Sequence, residues 1–157
     1  MSDSLATYLH DHLAGSNFAV ELLEFLRDQH AGEPLGASAA ALLAEIGQDR
    51  ETLQGIIDRV GGNAPVLKEA AAWVGEKLSE LKLSRGAFGT FEALEALALG
   101  ILGKLALWTA LEVVAIADTR LRGLDFKRLA SSAERQHSKA EALRLEWARA
   151  AFAPTQN

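Results

Sequence analysis

Apolar residues recur along most of this chain at intervals of three and four, the spacing of one face of an α-helix, and no stretch shows the alternation of a strand. Leu5, Leu9, His12, Ser16, Ala19, Val20, Leu23 and Leu26 share a face of a first helix over about 4–30, with Ser4 or a neighbouring polar residue as its cap. Ala31-Gly32-Glu33-Pro34 supplies the expected stop. A second helix, about 36–60, turns Ala39, Leu42, Leu43, Ile46, Asp49, Leu53, Ile56, Ile57 and Val60 inward and ends at Gly61-Gly62-Asn63. Pro65 suits the first turn of a third, shorter helix over about 65–81, striped by Leu67, Ala70, Ala71, Val74, Leu78 and Leu81. Leu83 to Gly89 reads as a loop, and Thr90 as the cap of a fourth helix over about 90–121. After the turn Arg122-Gly123-Leu124-Asp125, Asp125 caps a fifth over about 125–152, with Leu129, Ala133, His137, Ala140, Trp147 and Ala151 inward.

The fourth segment departs from this amphipathic pattern. From Ala96 to Ala117 it is almost unbroken apolar sequence, charged only at Lys104 and Glu112. At helical pitch those positions cover the whole circumference, which predicts a helix buried on all sides. Gly100 and Gly103 allow another helix to approach it closely. The run is long enough to raise the question of a membrane. Its two charges, its glycines and its amphipathic neighbours favour a core helix, so no membrane insertion is expected. The apolar surface exceeds what one four-helix core absorbs, and a homodimer is expected.

Short links make antiparallel hairpins of the first and second helices and of the fourth and fifth. At 1.5 Å per residue the third spans about 25 Å, enough to carry the chain from one end of a bundle to the other. The expected fold is therefore an all-α four-helix bundle of two antiparallel hairpins, with a short crossover helix between the second and third bundle helices.

Composition narrows the function. Sixteen Lys and Arg against 21 Asp and Glu leave a net charge of −5 in 157 residues, and the bases are scattered, which argues against nucleic-acid binding. The absence of cysteine excludes disulfides, thiolate metal sites and cysteine nucleophiles. The segment Met1 to Tyr8 lacks the basic and apolar regions of a signal peptide, so a cytoplasmic location is expected. No phosphate-binding glycine loop or nucleophile motif is present.

Candidate chemistry centres on Glu134-Arg135-Gln136-His137, where a carboxylate and an imidazole three apart share a helix face. In this the chain resembles the ferritin-like superfamily of di-iron carboxylate bundles. That family's pattern is a Glu, a Glu-x-x-His, a Glu and a second Glu-x-x-His across the four bundle helices. The resemblance implies Glu134 and His137 as the last motif and Glu112 as the third-helix carboxylate. In the first hairpin the motif is degenerate. Glu45-Ile46-Gly47-Gln48 has glutamine in the histidine position, Asp49 faces the apolar stripe better, and Glu21 falls on the opposite side. Glu112, Glu134, His137, Glu45 and Asp49 are thus the candidate metal ligands.

A partner for Glu112 on another helix, from among His137, Arg128, Arg135 and His12, is the reading preferred over metal, because a buried carboxylate is costly unless paired. His12 as an axial haem ligand is a weaker alternative. Trp73, Trp108 and Trp147 read as core or interface anchors. The expectation is a bundle that is non-catalytic or binds metal weakly, needs no cofactor and acts through self-association, with stress adaptation as a setting. The alternative is an iron or manganese carboxylate protein handling dioxygen, peroxide or iron. A small-molecule site between the helices is a third possibility.

Overall fold

The computed structural model of the chain describes residues 3–62 and 68–156. The first helix, α1 (Ser4–Gln29), is capped by Asp3, whose carboxylate accepts from the Leu5 and Ala6 N–H groups, satisfying donors that the first turn leaves open. It stops where Gly32 takes a φ of 83°, a conformation glycine adopts without a Cβ clash. Helix α2 (Pro34–Val60) starts on its proline and ends at Gly61 and Gly62, both with positive φ. Helix α3 spans Lys68–Leu83, so the predicted start at Pro65 lies outside the described residues. Helices α4 (Gly86–Val114) and α5 (Phe126–Ala151) follow, the latter capped by the Asp125 carboxylate on the Arg128 N–H.

The boundaries of α4 differ from those predicted. It begins four residues early, at Gly86, and Thr90 is not its cap. Gly89 lies against the preceding turn, where a Cβ would stand 2.5 Å from the Ser84 carbonyl oxygen. At the other end α4 stops at Val114 rather than Leu121. The Asp118 carboxylate accepts from the Arg120 N–H and guanidinium and caps a single 3₁₀ turn, Thr119–Leu121, offering the backbone a local alternative to continued helix. Arg120 also reaches Asp3 at 3.0 Å, tying this turn to the start of α1.

Helices α4 and α5 pack along each other, as do α1 and α2; α1 also meets α4 and α3, whereas α2 and α5 touch only briefly. The buried side chains form two apolar clusters. One gathers Leu22, Leu23, Leu26, Leu35, Leu42, Ile46, Leu78, Leu81, Leu94, Leu97, Ile101 and Ala140. The other gathers Leu9, Leu53, Ile56, Ile57, Val60, Leu107, Trp108, Leu111, Leu121, Phe126, Leu129 and Ala133. Between Ile46 and Leu53 on α2, between Ile101 and Leu107 on α4, and between Ala133 and Ala140 on α5, the inward side chains are polar. The core is thus divided by a polar layer.

Burial of α4 on all sides is not what a single chain provides. Its inner face carries Leu94, Leu97, Ile101, Leu107, Trp108 and Leu111, whereas Leu99, Leu102 and Val113 stand exposed, followed by Ile116 in the turn beyond. Trp108 is fully buried, and Leu105 is half-buried at the edge of the core. By length and composition α4 is the one described helix able to cross a membrane.

Candidate functional site: a buried lysine and the polar cleft above it

Three side chains make up the polar layer: Asp49 from α2, Lys104 from α4 and Gln136 from α5, all buried. Each occupies an inward position of its helix stripe. Asp49 falls three residues after Ile46 and four before Leu53; Gln136 falls three after Ala133 and four before Ala140. The Lys104 ammonium donates to Asp49 Oδ2 at 2.6 Å and also to Gln136 Oε1, while Gln136 Nε2 donates to the same Asp49 oxygen at 3.1 Å. Every member therefore bonds both others, which a polar cluster needs if it is to be tolerated in a core.

Burial pulls the Lys104 pKa below its ordinary value of 10.5, because desolvation penalises the ammonium, and the charge of Asp49 opposes the shift without cancelling it. Removing a unit charge from water is costly even when it is paired, so the pair's attraction is offset by desolvation.

Above the trio α2 and α5 diverge and leave a cleft of about 210 Å³. Helix α2 lines it with Glu45, Gln48, Asp49 and Thr52, and α5 with Arg128, Ser132, Arg135 and Gln136. Glu45, at its edge, lies 3.6 Å from Lys139 across the cleft.

The predicted ligands do not converge. Glu45 and Asp49 share the cleft, but the Asp49 charge is engaged by Lys104. Glu112 is not deeply buried; it sits two residues from the end of α4, half-exposed, and its nearest cation is Lys127 at 3.8 Å rather than any of the four expected partners. Glu134 points to solvent. His137 is half-buried, one position past the inward Gln136 and so rotated by 100° from the layer. Among the described residues no three His, Asp or Glu side chains are close enough to hold one metal ion. A di-iron centre also needs anionic or neutral donors where this bundle places an ammonium, so these residues do not fit such a group.

The pairing of Lys104 with Asp49 was open to inference. Each is a lone charge of opposite sign on an otherwise apolar face, and such charges seek one another. Gln136 was hidden by the histidine beside it.

Two further polar clusters brace the ends of the helices. His30 is buried, its Nδ1 lying 2.9 Å from Glu33 and its Nε2 3.3 Å from Thr90 Oγ1, with its ring edge-on to Trp147 at 5.2 Å between centroids. That is the role Thr90 takes instead of capping. Arg144 joins Glu95 and Glu141 and lies over the Phe91 ring. His12 is half-buried against Tyr8, and burial lowers its pKa from 6.5. Compared with family models, with curated proteins and with solved structures, the chain matches none.

Proposed function

We propose that this protein is a non-catalytic, ferritin-like helical bundle that acts through self-association as a homodimer, with Lys104 holding together the centre where di-iron relatives of such bundles carry metal. The observation that carries this reading is the uncovered face of α4. Leu99, Leu102, Gly103, Ala106, Thr109, Val113 and Ile116 follow one another at intervals of one, three and four with no charge among them. The four largest of these side chains, Leu99, Leu102, Val113 and Ile116, are all exposed in the single chain, and contiguous exposed apolar side chains are the mark of an interface. Gly103 and Ala106 at the middle let two helix backbones come close.

The arrangement of hairpins follows from the links and contacts. Four residues join α1 to α2, Asn17 of α1 meets Arg50 of α2 at 2.5 Å, and Leu26 shares a cluster with Leu35. Those pairs fit two helices running in opposite directions. Helix α3 then serves as the crossover to the second hairpin, α4 and α5.

The competing reading, an iron or manganese protein handling dioxygen or peroxide, would use Glu45, Asp49, Glu112, Glu134 and His137. Their separation and the Lys104 ammonium favour the non-catalytic one.

Sedimentation velocity at micromolar concentrations tests the proposal. Wild type should sediment as a dimer of the 16.8 kDa chain, and Ala106→Arg as a helical monomer. A monomeric wild type, or a dimer indifferent to Ala106→Arg, would remove the basis for the proposal. Elemental analysis of protein purified without added metal separates the two readings, since stoichiometric iron or manganese supports the alternative.

A further inference from the structure

We infer that the cleft between α2 and α5 is a binding site for a small oxyanion, the phosphate or carboxylate group of a metabolite. The inference rests on charge that the fold leaves uncommitted and stands apart from self-association through α4. Arg128 and Arg135 both line the cleft, seven positions and two helical turns apart on the same side of α5. Among the described residues neither guanidinium reaches a carboxylate. Arg128 engages Asp125 only through its backbone N–H, and Arg135 donates a single bond, 3.0 Å long, to Ser132 Oγ. Among the described residues, three of the eight other arginines are taken up by carboxylates: Arg27 by Asp28, Arg120 by Asp3 and Asp118, and Arg144 by Glu95 and Glu141.

The acids in the cleft do not cancel the two arginines. Asp49 is held by Lys104 at 2.6 Å and Glu45 by Lys139 at 3.6 Å, so each is matched by a cation of its own. What remains is two positive charges on a walled opening, in a protein of net charge −5. Concave walls of low dielectric focus such a field and raise the local concentration of anions.

Arginine is suited to the task because its planar fork matches carboxylate and phosphate oxygens two at a time. Ser132 sits between the arginines on α5, with Thr52 across the cleft, and their hydroxyls add neutral polar contacts. Asp49 and Gln136 of the buried trio also line it. The cleft, of about 210 Å³, is of a size to seat a phosphate or a short dicarboxylate.

The test is isothermal titration of the full chain with inorganic phosphate and, separately, with succinate, chloride being exchanged to hold ionic strength constant. Saturable one-site binding of at least one anion is expected, and the stronger of the two identifies the headgroup. Arg128→Gln/Arg135→Gln should weaken it by roughly tenfold or more, and Lys77→Gln/Lys82→Gln on α3, which removes the same charge elsewhere, should not. Amide resonances of Thr52 and Ser132 in the wild type should shift along the same titration, a readout that does not depend on how the variants fold. The inference is overturned if neither anion saturates, if the two double variants lose affinity alike, or if the Thr52 and Ser132 resonances stay still.

Discussion

Replacing Lys104 with methionine keeps the length of the side chain and removes its charge, which isolates what the polar layer requires. The Asp49 carboxylate would then be left buried with Gln136 Nε2, at 3.1 Å, as its remaining side-chain donor. Removing one partner of a buried ion pair costs about 3–5 kcal/mol, chiefly the penalty of the charge left behind. For a chain of this size each kcal/mol moves Tm by about 2–4 °C, so Lys104→Met should melt about 6–20 °C below wild type. The combined variant Asp49→Leu/Lys104→Met/Gln136→Leu removes the whole demand for solvation and should return to within about 1 kcal/mol of wild type, or exceed it. Urea and thermal unfolding followed by far-ultraviolet circular dichroism, at one fixed protein concentration, give both numbers. A Lys104→Met loss below about 0.5 kcal/mol, of the size seen at exposed positions, would refute the reasoning. So would a combined variant as unstable as the sum of its parts.

Four other outcomes follow from the same structure. Because burial lowers the Lys104 pKa below 10.5, the unfolded chain binds more protons than the folded one as pH approaches that value; wild-type stability relative to the combined variant should rise as pH climbs toward 10.5, and a flat or falling difference in urea titrations would contradict it. Leu107→Ala should cost about 2–5 kcal/mol by leaving a cavity, and Leu105→Ala, at the edge of the core, clearly less; equal losses would mean that the inner face of α4 is misassigned. Gly89→Ala sets a Cβ against the Ser84 backbone and should destabilise by about 1–3 kcal/mol, whereas Gly100→Ala, which meets nothing within 4 Å in the single chain, should not. His12 should titrate below 6.5 in an NMR pH series, with its share of stability declining as pH falls through that region; a value at or above 6.5 would place its ring in water.

Much of the architecture could be read in the sequence because it rests on local rules. Stripes at three and four residues, and stops at Gly32 and Gly61-Gly62, located α1 and α2 to within a few residues. The end of α4 was harder: the Ala115–Ala117 composition continues a helix, and only the Asp118 to Arg120 bonds, local but specific in geometry, end it. The site was half visible. Asp49 stood out as an acid on an apolar face, but its partner lies 55 residues away, and periodicity gives a face without saying which residue it meets. On α5 the Glu-x-x-His motif drew attention to Glu134 and His137, whereas the inward stripe Leu129, Ala133, Ala140 selects Gln136. Glu112 was expected to be buried because the run around it is apolar, yet the helix ends two residues later. The run divides instead into two sides: one packs inside the chain, and the other, with Leu99, Leu102 and Val113, stands exposed in the single chain.

The chain contains no cysteine, which gives the central claim a direct measurement: single cysteines placed along α4 and oxidised in dilute solution. In an interface between identical subunits, residues near the twofold axis meet their own copies. Cysteine at Gly103 or Ala106, the middle of the stripe, should form a covalent dimer rapidly and in high yield. Cysteine at Gln54, exposed on α2, should remain monomeric under the same conditions. Yields that are equally low at all three positions, or no greater on α4 than at Gln54, would contradict a dimer built on the apolar face of α4.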